Sequence, residues 1–465
     1  MSLPFRAKPA AETLPLTLLT KQALPGWLTR AGAVRRAWVQ GSGFKAAPGE
    51  ICLLPGRDGA PAGALVGIAG DGGAEDLWTA AGLSGRLPEG SWRLDPEPVG
   101  PEATRLTLGW ALGAYAFTRY KQPGRPPAEL VWPARADRGH VERAARGAAL
   151  VRDLVNTPAE DMGPAELAEA ATAMARRLSM TARVIEGDAL REKNFPLIHA
   201  VGRASTRAPR LIDLAWGKAT HPKVTLVGKG VCFDTGGLDL KNDAGMKLMK
   251  KDMGGAAHAL GLAQMVVEAK LPVRLRVLVP AVENSVSGNA FRPLDVVPTR
   301  KGISVEIGNT DAEGRLILCD ALAEGASEKP AMMIDCATLT GAARVALGPD
   351  LPALFCNNDE LAASILMAGE LGNDPLWRMP LHAGYRRMLD SKVADINNAP
   401  NAPFAGSITA ALYLKEFVPD DVPWAHIDMM AWNNATRPGR PEGGEAQAAR
   451  AIFGTIEKRF SSRRA

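Results

Sequence analysis

Cysteine is scarce and unpatterned in this sequence: Cys52, Cys232, Cys319, Cys336 and Cys356 are odd in number and form no CxxC pair. That argues against a disulfide framework or a cysteine-built zinc site, and for small buried hydrophobes in a reducing compartment. Histidine is equally sparse. His140, His199, His221, His258, His382 and His426 are dispersed and no HExxH occurs, so a histidine-based zinc site has no support. No apolar run reaches the ~18 residues that a membrane span requires. The stretch from Met1 to Arg30 shows no secretory pattern, so a cytoplasmic location is expected. Charge of one sign is also missing: 55 basic against 50 acidic residues leave a net +5, scattered rather than banked. Neither nucleic acid nor a membrane surface is an expected partner.

What is present is an ordinary globular composition, 46% hydrophobic and 23% charged, in a chain long enough for two domains. Residues 1–130 carry turn-rich pieces (Gly41-Ser42-Gly43, Pro55 to Gly59, Gly70 to Gly73) and an apolar stretch from Trp110 to Phe117, and fit a small α/β domain without visible chemistry. The Pro-rich passage Gln122 to Pro127 suits a linker. From 137 to 465 the pattern is regular. Apolar runs at Val224–Leu226, Leu275–Val282, Ile303–Ile307, Met332–Ile334 and Ala425–Met429 are interspersed with helical spacing at Ala256–Ala269, Leu316–Ala326, Ala405–Phe417 and Ala446–Phe460. Helical spacing also covers Val141–Leu154 and Ala165–Leu178. The expected fold is α/β, a catalytic domain with a mixed sheet covered on both faces by helices, preceded by the smaller α/β domain. Ligands in such sheets gather at loops beyond the strand ends.

Three of those loops concentrate carboxylates and lysines: Val227 to Gly237, Lys241 to Gly255, and Asn309-Thr310-Asp311-Ala312-Glu313-Gly314-Arg315. Asp311 and Glu313 are two apart, so at an extended strand end their side chains would share one side. Clustered carboxylates suit a pair of divalent cations, which repel each other and need anionic oxygens to hold them together. Glycine alternation around Lys229 could suggest a phosphate loop, but the Walker spacing is absent and Phe233 stands where a dinucleotide fingerprint needs a small residue. Arg315 at a helix start is placed where the dipole disfavours a cation, which a bound anion would explain.

Lys229, Asp234, Lys241, Asp252 and the segment Asn309 to Leu316 together resemble the signature of the leucyl aminopeptidase family, the cytosolic two-metal peptidases. The resemblance extends to Val155-Asn156-Thr157-Pro158, Asp335 to Ala342 and Trp424 to Asp428, and covers roughly residues 140–460. It implies that Asp234 and Glu313 bridge two metal ions (Mn²⁺ or Zn²⁺), that Asp311 completes one site, and that Lys229 and Asp252 complete the other. A lysine ligand must be neutral, so bound metal would have to depress the pKa of Lys229. By the same resemblance Lys241 polarises the scissile carbonyl, and Arg315 holds a bicarbonate that shuttles protons. Met249, Asn309, Thr338, Leu339 and Gly341 match substrate-binding positions, and a Met wall favours Leu- or Met-like N-terminal residues.

The implied activity is release of N-terminal amino acids from peptides by a homohexamer of two stacked trimers. Two departures stand out: Thr235 where many members carry Ser, and Asn242-Asp243 where a proline is common. Other functions compete. Some bacterial members of this family also bind DNA, against which the dispersed charge argues; a non-catalytic scaffold would show damaged ligand positions, and none is damaged. Around the motif, Lys250 and Lys251 are expected to be solvated or interfacial, Asp335 and Asp428 to be buried hydrogen-bonded carboxylates, and His258 to lie in the core or an interface. The basic run Lys458 to Arg464 is expected to be a frayed tail.

Overall fold

The computed structural model describes residues 3–70, 74–122, 124–400 and 402–461. The turn expected at 71–73, Pro123 of the linker and Arg463-Arg464 of the tail fall outside the described residues. The chain forms two compact units: Met1–Ala149 with Asn434–Glu442, and Leu150–Asn433 with Gly443–Ala465.

The first unit is built on six strands, β1 (Phe5–Arg6), β2 (Leu14–Leu19), β3 (Ile51–Pro55), β4 (Pro61–Gly67), β5 (Ser91–Leu94) and β6 (Glu129–Val131), in the order β1-β6-β5-β2-β4-β3. Only the β3–β4 pair is antiparallel. Leu16, Val66, Trp92, Leu106, Trp110 and Leu130 fill its core. The two buried indoles satisfy their N–H groups on backbone carbonyls, Trp92 on Pro88 and Trp110 on Ala128. The apolar stretch near Trp110 belongs to the helix Gly100–Gly113, one of the helices that join the strands into an α/β unit.

The second unit holds β7 (Thr181–Glu186), β8 (Arg210–Trp216), β9 (Lys223–Gly228), β10 (Gly230–Asp234), β11 (Arg274–Asn284), β12 (Val296–Pro298), β13 (Ser304–Glu306), β14 (Met332–Ala337), β15 (Ala353–Cys356), β16 (Trp377–Arg378), β17 (Ile396–Asn397) and β18 (Trp424–Asp428). Its main sheet runs β16-β15-β18-β14-β9-β11-β8-β7, with β10 also paired to β11, and a small sheet joins β12, β13 and β17. The centre is parallel: β18, β14, β9 and β11 run together, while β8 and β15 are antiparallel to their inner neighbours. The sheet is therefore mixed, as expected.

Alternation along β9 explains the two layers of helices. Gly228 abuts Ala256 of the helix Gly254–Glu268, whereas Thr225 abuts Gly325 of the helix Glu313–Ser327. Both helices are buried on nearly every side, because each is sandwiched rather than laid on a surface. Close approach is enforced by glycine: a Cβ on Gly255 would lie 2.0 Å from the carbonyl oxygen of Cys336. The helix start is thereby pinned to the ends of β9 and β14, where Lys229 N donates to Cys336 O (3.0 Å) and Ala256 N to Lys229 O (2.8 Å). Among the described residues, no helix is long and apolar enough to cross a membrane, and the five cysteines are all buried and unpaired.

Candidate metal and peptide site

Lys229 follows the last residue of β9, so its side chain leaves the sheet at the carboxyl end. It is buried and extends across Gly314, where a Cβ would lie 2.5 Å from Lys229 Cε. The ammonium reaches Asp252 Oδ2 at 2.7 Å, Glu313 Oε1 at 3.0 Å and the Thr338 carbonyl at 3.2 Å. Asp234 closes β10. Its Oδ1 accepts from Gly236 N and Asn284 Nδ2, each at 2.9 Å, and its Oδ2 lies 3.0 Å from Lys241 Nζ. Lys241 also pairs with Asp311. Asp252 sits in the 3₁₀ turn Met249–Met253, oriented by a 2.7 Å bond from Thr338 Oγ1 to its Oδ1.

The expected strand-end geometry of Asp311 and Glu313 is corrected by the backbone. Asp311 lies in a turn, held by a 2.7 Å bond from its N–H to Asn309 Oδ1, and Glu313 is the first residue of a helix. An asparagine two residues back offers the chain a side-chain-closed turn in place of a strand. The turn still brings both carboxylates in, since Asp311 meets Lys241 and Glu313 meets Lys229.

One oxygen from each of Asp234, Asp252 and Glu313 lies within 4.8 Å of the others, and all three residues are buried. Burial first, then the Asp234 charge, raises the pKa of Glu313; the same two causes raise Asp311 to about 6. Burial alone would lower Lys229 and Lys241, but the surrounding carboxylates outweigh it and hold both above the ordinary lysine range. Both oxygens of Glu313, Asp252 Oδ2 and Asp311 Oδ1 lack a partner in hydrogen-bond geometry despite the close ammonium groups. Crowded, under-bonded, hard oxygen donors are the chemistry that a divalent cation satisfies, so these residues fit bound metal.

The positions expected to bind the peptide are placed as follows. Met249 begins the 3₁₀ turn. Thr338 follows β14, and Gly341 starts the helix Gly341–Leu347, capped by Thr340 Oγ1 on Ala343 N. The loop between is held by buried Asp428 at the end of β18. Its Oδ1 accepts from Leu339 N (2.9 Å) and Thr340 N (3.1 Å), and its Oδ2 from Thr340 Oγ1 (2.5 Å). Arg315 is buried, donates to the Asn398 carbonyl at 2.6 Å and has an Nε without a hydrogen-bond partner. Asn309 is exposed beside Asp311. Asn242 caps the short helix Asp243–Met246 through a bond from Gly245 N, and Thr235 Oγ1 donates to Asn284 O.

Several residues beyond the motifs prove structural to the site. Asn284 is fully buried and grips both Asp234 Oδ1 and Thr310 O. Asn398 accepts from Gly308 N and Asn309 N and donates to Asn309 O. Asp239 Oδ2 accepts from Thr310 N. Each lies far along the chain from its partner, so no local pattern marks it. Asp335 is hydrogen-bonded as expected, to His426 Nδ1 (2.6 Å) and Trp424 Nε1 (2.7 Å). Lys251 is a correction: it is buried within the 3₁₀ turn rather than solvated, and burial lowers its pKa to about 8.

Comparison with known proteins identifies a family for both parts of the chain. Residues 149–453 match the cytosol aminopeptidase family, catalytic domain, and residues 14–133 match the M17 aminopeptidase N-terminal domain. The chain belongs to the cytosol aminopeptidase family. It is a metal-dependent aminopeptidase, a metallo-exopeptidase hydrolase of the leucyl aminopeptidase type. A probable cytosol aminopeptidase of Syntrophotalea carbinolica is 38% identical over 452 residues, covering 90% of each chain. The crystal structure of cytosol aminopeptidase from Coxiella burnetii superimposes with a TM-score of 0.94 at 48% identity, covering 98% of this chain and 99% of that one. The bottromycin maturation enzyme BotP in complex with Mn gives 0.86 at 34% identity, covering 96% and 99%. The family match also reaches the N-terminal unit, in which sequence reading found no chemistry.

Proposed function

We propose that this aminopeptidase releases single N-terminal residues, Leu- or Met-like with broad tolerance, using two divalent cations, Mn²⁺ or Zn²⁺. The observation that carries the reading is the buried cluster of Asp234, Asp252 and Glu313, flanked by Lys229, Lys241 and Asp311. Asp234 and Glu313 would bridge the pair, Asp311 would complete one site, and Lys229 with Asp252 the other. When bound, the ions supply Lewis-acid activation of water and of the peptide carbonyl.

The chain's own residues do the rest. Lys241 retains its proton, because Asp234 and Asp311 favour the cationic form, and donates to the carbonyl oxygen as negative charge develops there. The buried guanidinium of Arg315, with Nε unpaired, would hold a bicarbonate, which when bound would supply proton transfer between water and the leaving amine. Met249, Asn309, Thr338, Leu339 and Gly341 hold the peptide, and Asp428 fixes the backbone of that loop. Residues 1–130 and 137–465 act as the two domains. A cytoplasmic homohexamer is supported by the family relationship.

Purified protein incubated with Mn²⁺ or Zn²⁺ should hydrolyse Leu-p-nitroanilide. A folded, metal-replete sample inactive against a panel of N-terminal residues would overturn this function.

A further inference from the structure

Among the described residues, two cations beside the peptide loop have no hydrogen-bond or ion-pair partner. Lys251 is 2% exposed, and among the described residues its ammonium makes neither a hydrogen bond nor an ion pair. The carboxylates in electrostatic reach are already engaged: Asp252 by Lys229 and Thr338, and Asp428 by Leu339 and Thr340. Arg344, on the helix Gly341–Leu347, is half-buried and likewise unpaired among the described residues. Its Nη2 lies 3.7 Å from where a Cβ on Gly341 would stand. Lys251 and Arg344 also feel each other's charge. Burying an ammonium without a counter-ion is costly, and such groups concentrate where a ligand supplies the missing charge.

Their location names that ligand. Lys251 lies two residues after Met249 and next to Asp252, and Arg344 one helical turn after Gly341. Met249, Thr338 and Gly341 are among the residues assigned above to holding the peptide, Met249 beside its N-terminal side chain. A carboxylate brought there leaves water and needs a cation to meet it. We propose that Lys251 and Arg344 make this aminopeptidase accept peptides bearing a carboxylate at that place, an acidic side chain on the N-terminal residue. This rests on the aminopeptidase reading and widens its substrate class from apolar to acidic N-termini. A short peptide could present the same chemistry through its C-terminal carboxylate.

The test uses the full Mn²⁺-loaded protein and the variants Lys251→Met and Arg344→Gln; the second, half-exposed, guards against misfolding of the first. Turnover of Glu- and Leu-7-amido-4-methylcoumarin is compared, and Leu-Gly with Leu-Gly-amide. A desolvated, charge-assisted contact is expected to be worth roughly ten-fold or more in kcat/KM. The Glu-to-Leu ratio should therefore fall about ten-fold in each variant, mainly through KM. A fall confined to Leu-Gly relative to its amide would identify the C-terminal carboxylate as the anion held. Unchanged ratios in both comparisons, with Leu substrates still cleaved, would overturn the proposal and leave the aminopeptidase reading intact. A wild-type protein that cleaves neither class would overturn both.

Discussion

Glu313 and Lys241 have opposite duties in a small space, and each can be removed without changing volume much. Glu313→Gln keeps the shape but withdraws an anion from beside Asp234, Asp252 and Lys229. Hydrolysis of Leu-p-nitroanilide should drop by about 10²–10³, with weaker Mn²⁺ binding by titration calorimetry. Lys241→Met should lose a similar factor in kcat while metal binding persists, since its proposed contact is made to the reacting carbonyl. Away from the site, Asp320 gives a pH signature. It is fully buried on the helix Glu313–Ser327, and its carboxylate accepts from Leu197 N (2.8 Å) and Arg300 N (2.9 Å). Burial outweighs those donors and raises its pKa from 3.8 to about 7. A carboxyl raised in the folded state stabilises fully below the unfolded value and loses that contribution as pH rises through 7. Urea midpoints should thus decline between about pH 4 and 7, and Asp320→Asn should flatten that part of the curve.

Among the elements, the loop after β14 and the start of the helix Gly254–Glu268 decide whether the ligands meet. Asp428→Ala frees three donors of the loop at once. A 10–100-fold loss in kcat/KM is expected, with Asp428→Asn milder because an amide oxygen still accepts from Leu339 N and Thr340 N. Equal losses in the two variants would show that the charge, not the loop geometry, matters. Gly255→Ala forces a methyl against the Cys336 carbonyl. A destabilisation of about 3 kcal/mol, read by denaturant melts, should follow from the displaced strand end.

For the whole molecule, the carboxylate cluster couples metal to stability. Stripping metal with a chelator should abolish activity and lower Tm, and Mn²⁺ should restore both, because unfolded chains cannot assemble this donor set. Lowering pH should weaken the metal, since the raised pKa of Glu313 lets protons compete. Light scattering checks assembly: the hexamer expected from the family would have six times the 49.2 kDa chain mass.

The sequence by itself determined the alternation of buried strands with apolar helices, because full burial of β9 and β14 leaves continuous apolar runs. It also marked the three loops by their unusual charges among glycines, and the family resemblance picked out Lys229, Asp234, Lys241, Asp252, Asp311 and Glu313 within them. It misjudged Lys251, read together with Lys250 as solvated or interfacial, because adjacent lysines look like surface until the 3₁₀ turn buries one of them. Only the tertiary structure decided the Asn309–Asp311 turn, the grip of Asn284 on Asp234, the triple hold of Asp428 on its loop, and the unpaired state of Lys251 and Arg344. The physical reason is range. Periodicity and motif spacing are local, whereas a buried polar group is satisfied, or left waiting for a ligand, by atoms brought from distant parts of the chain.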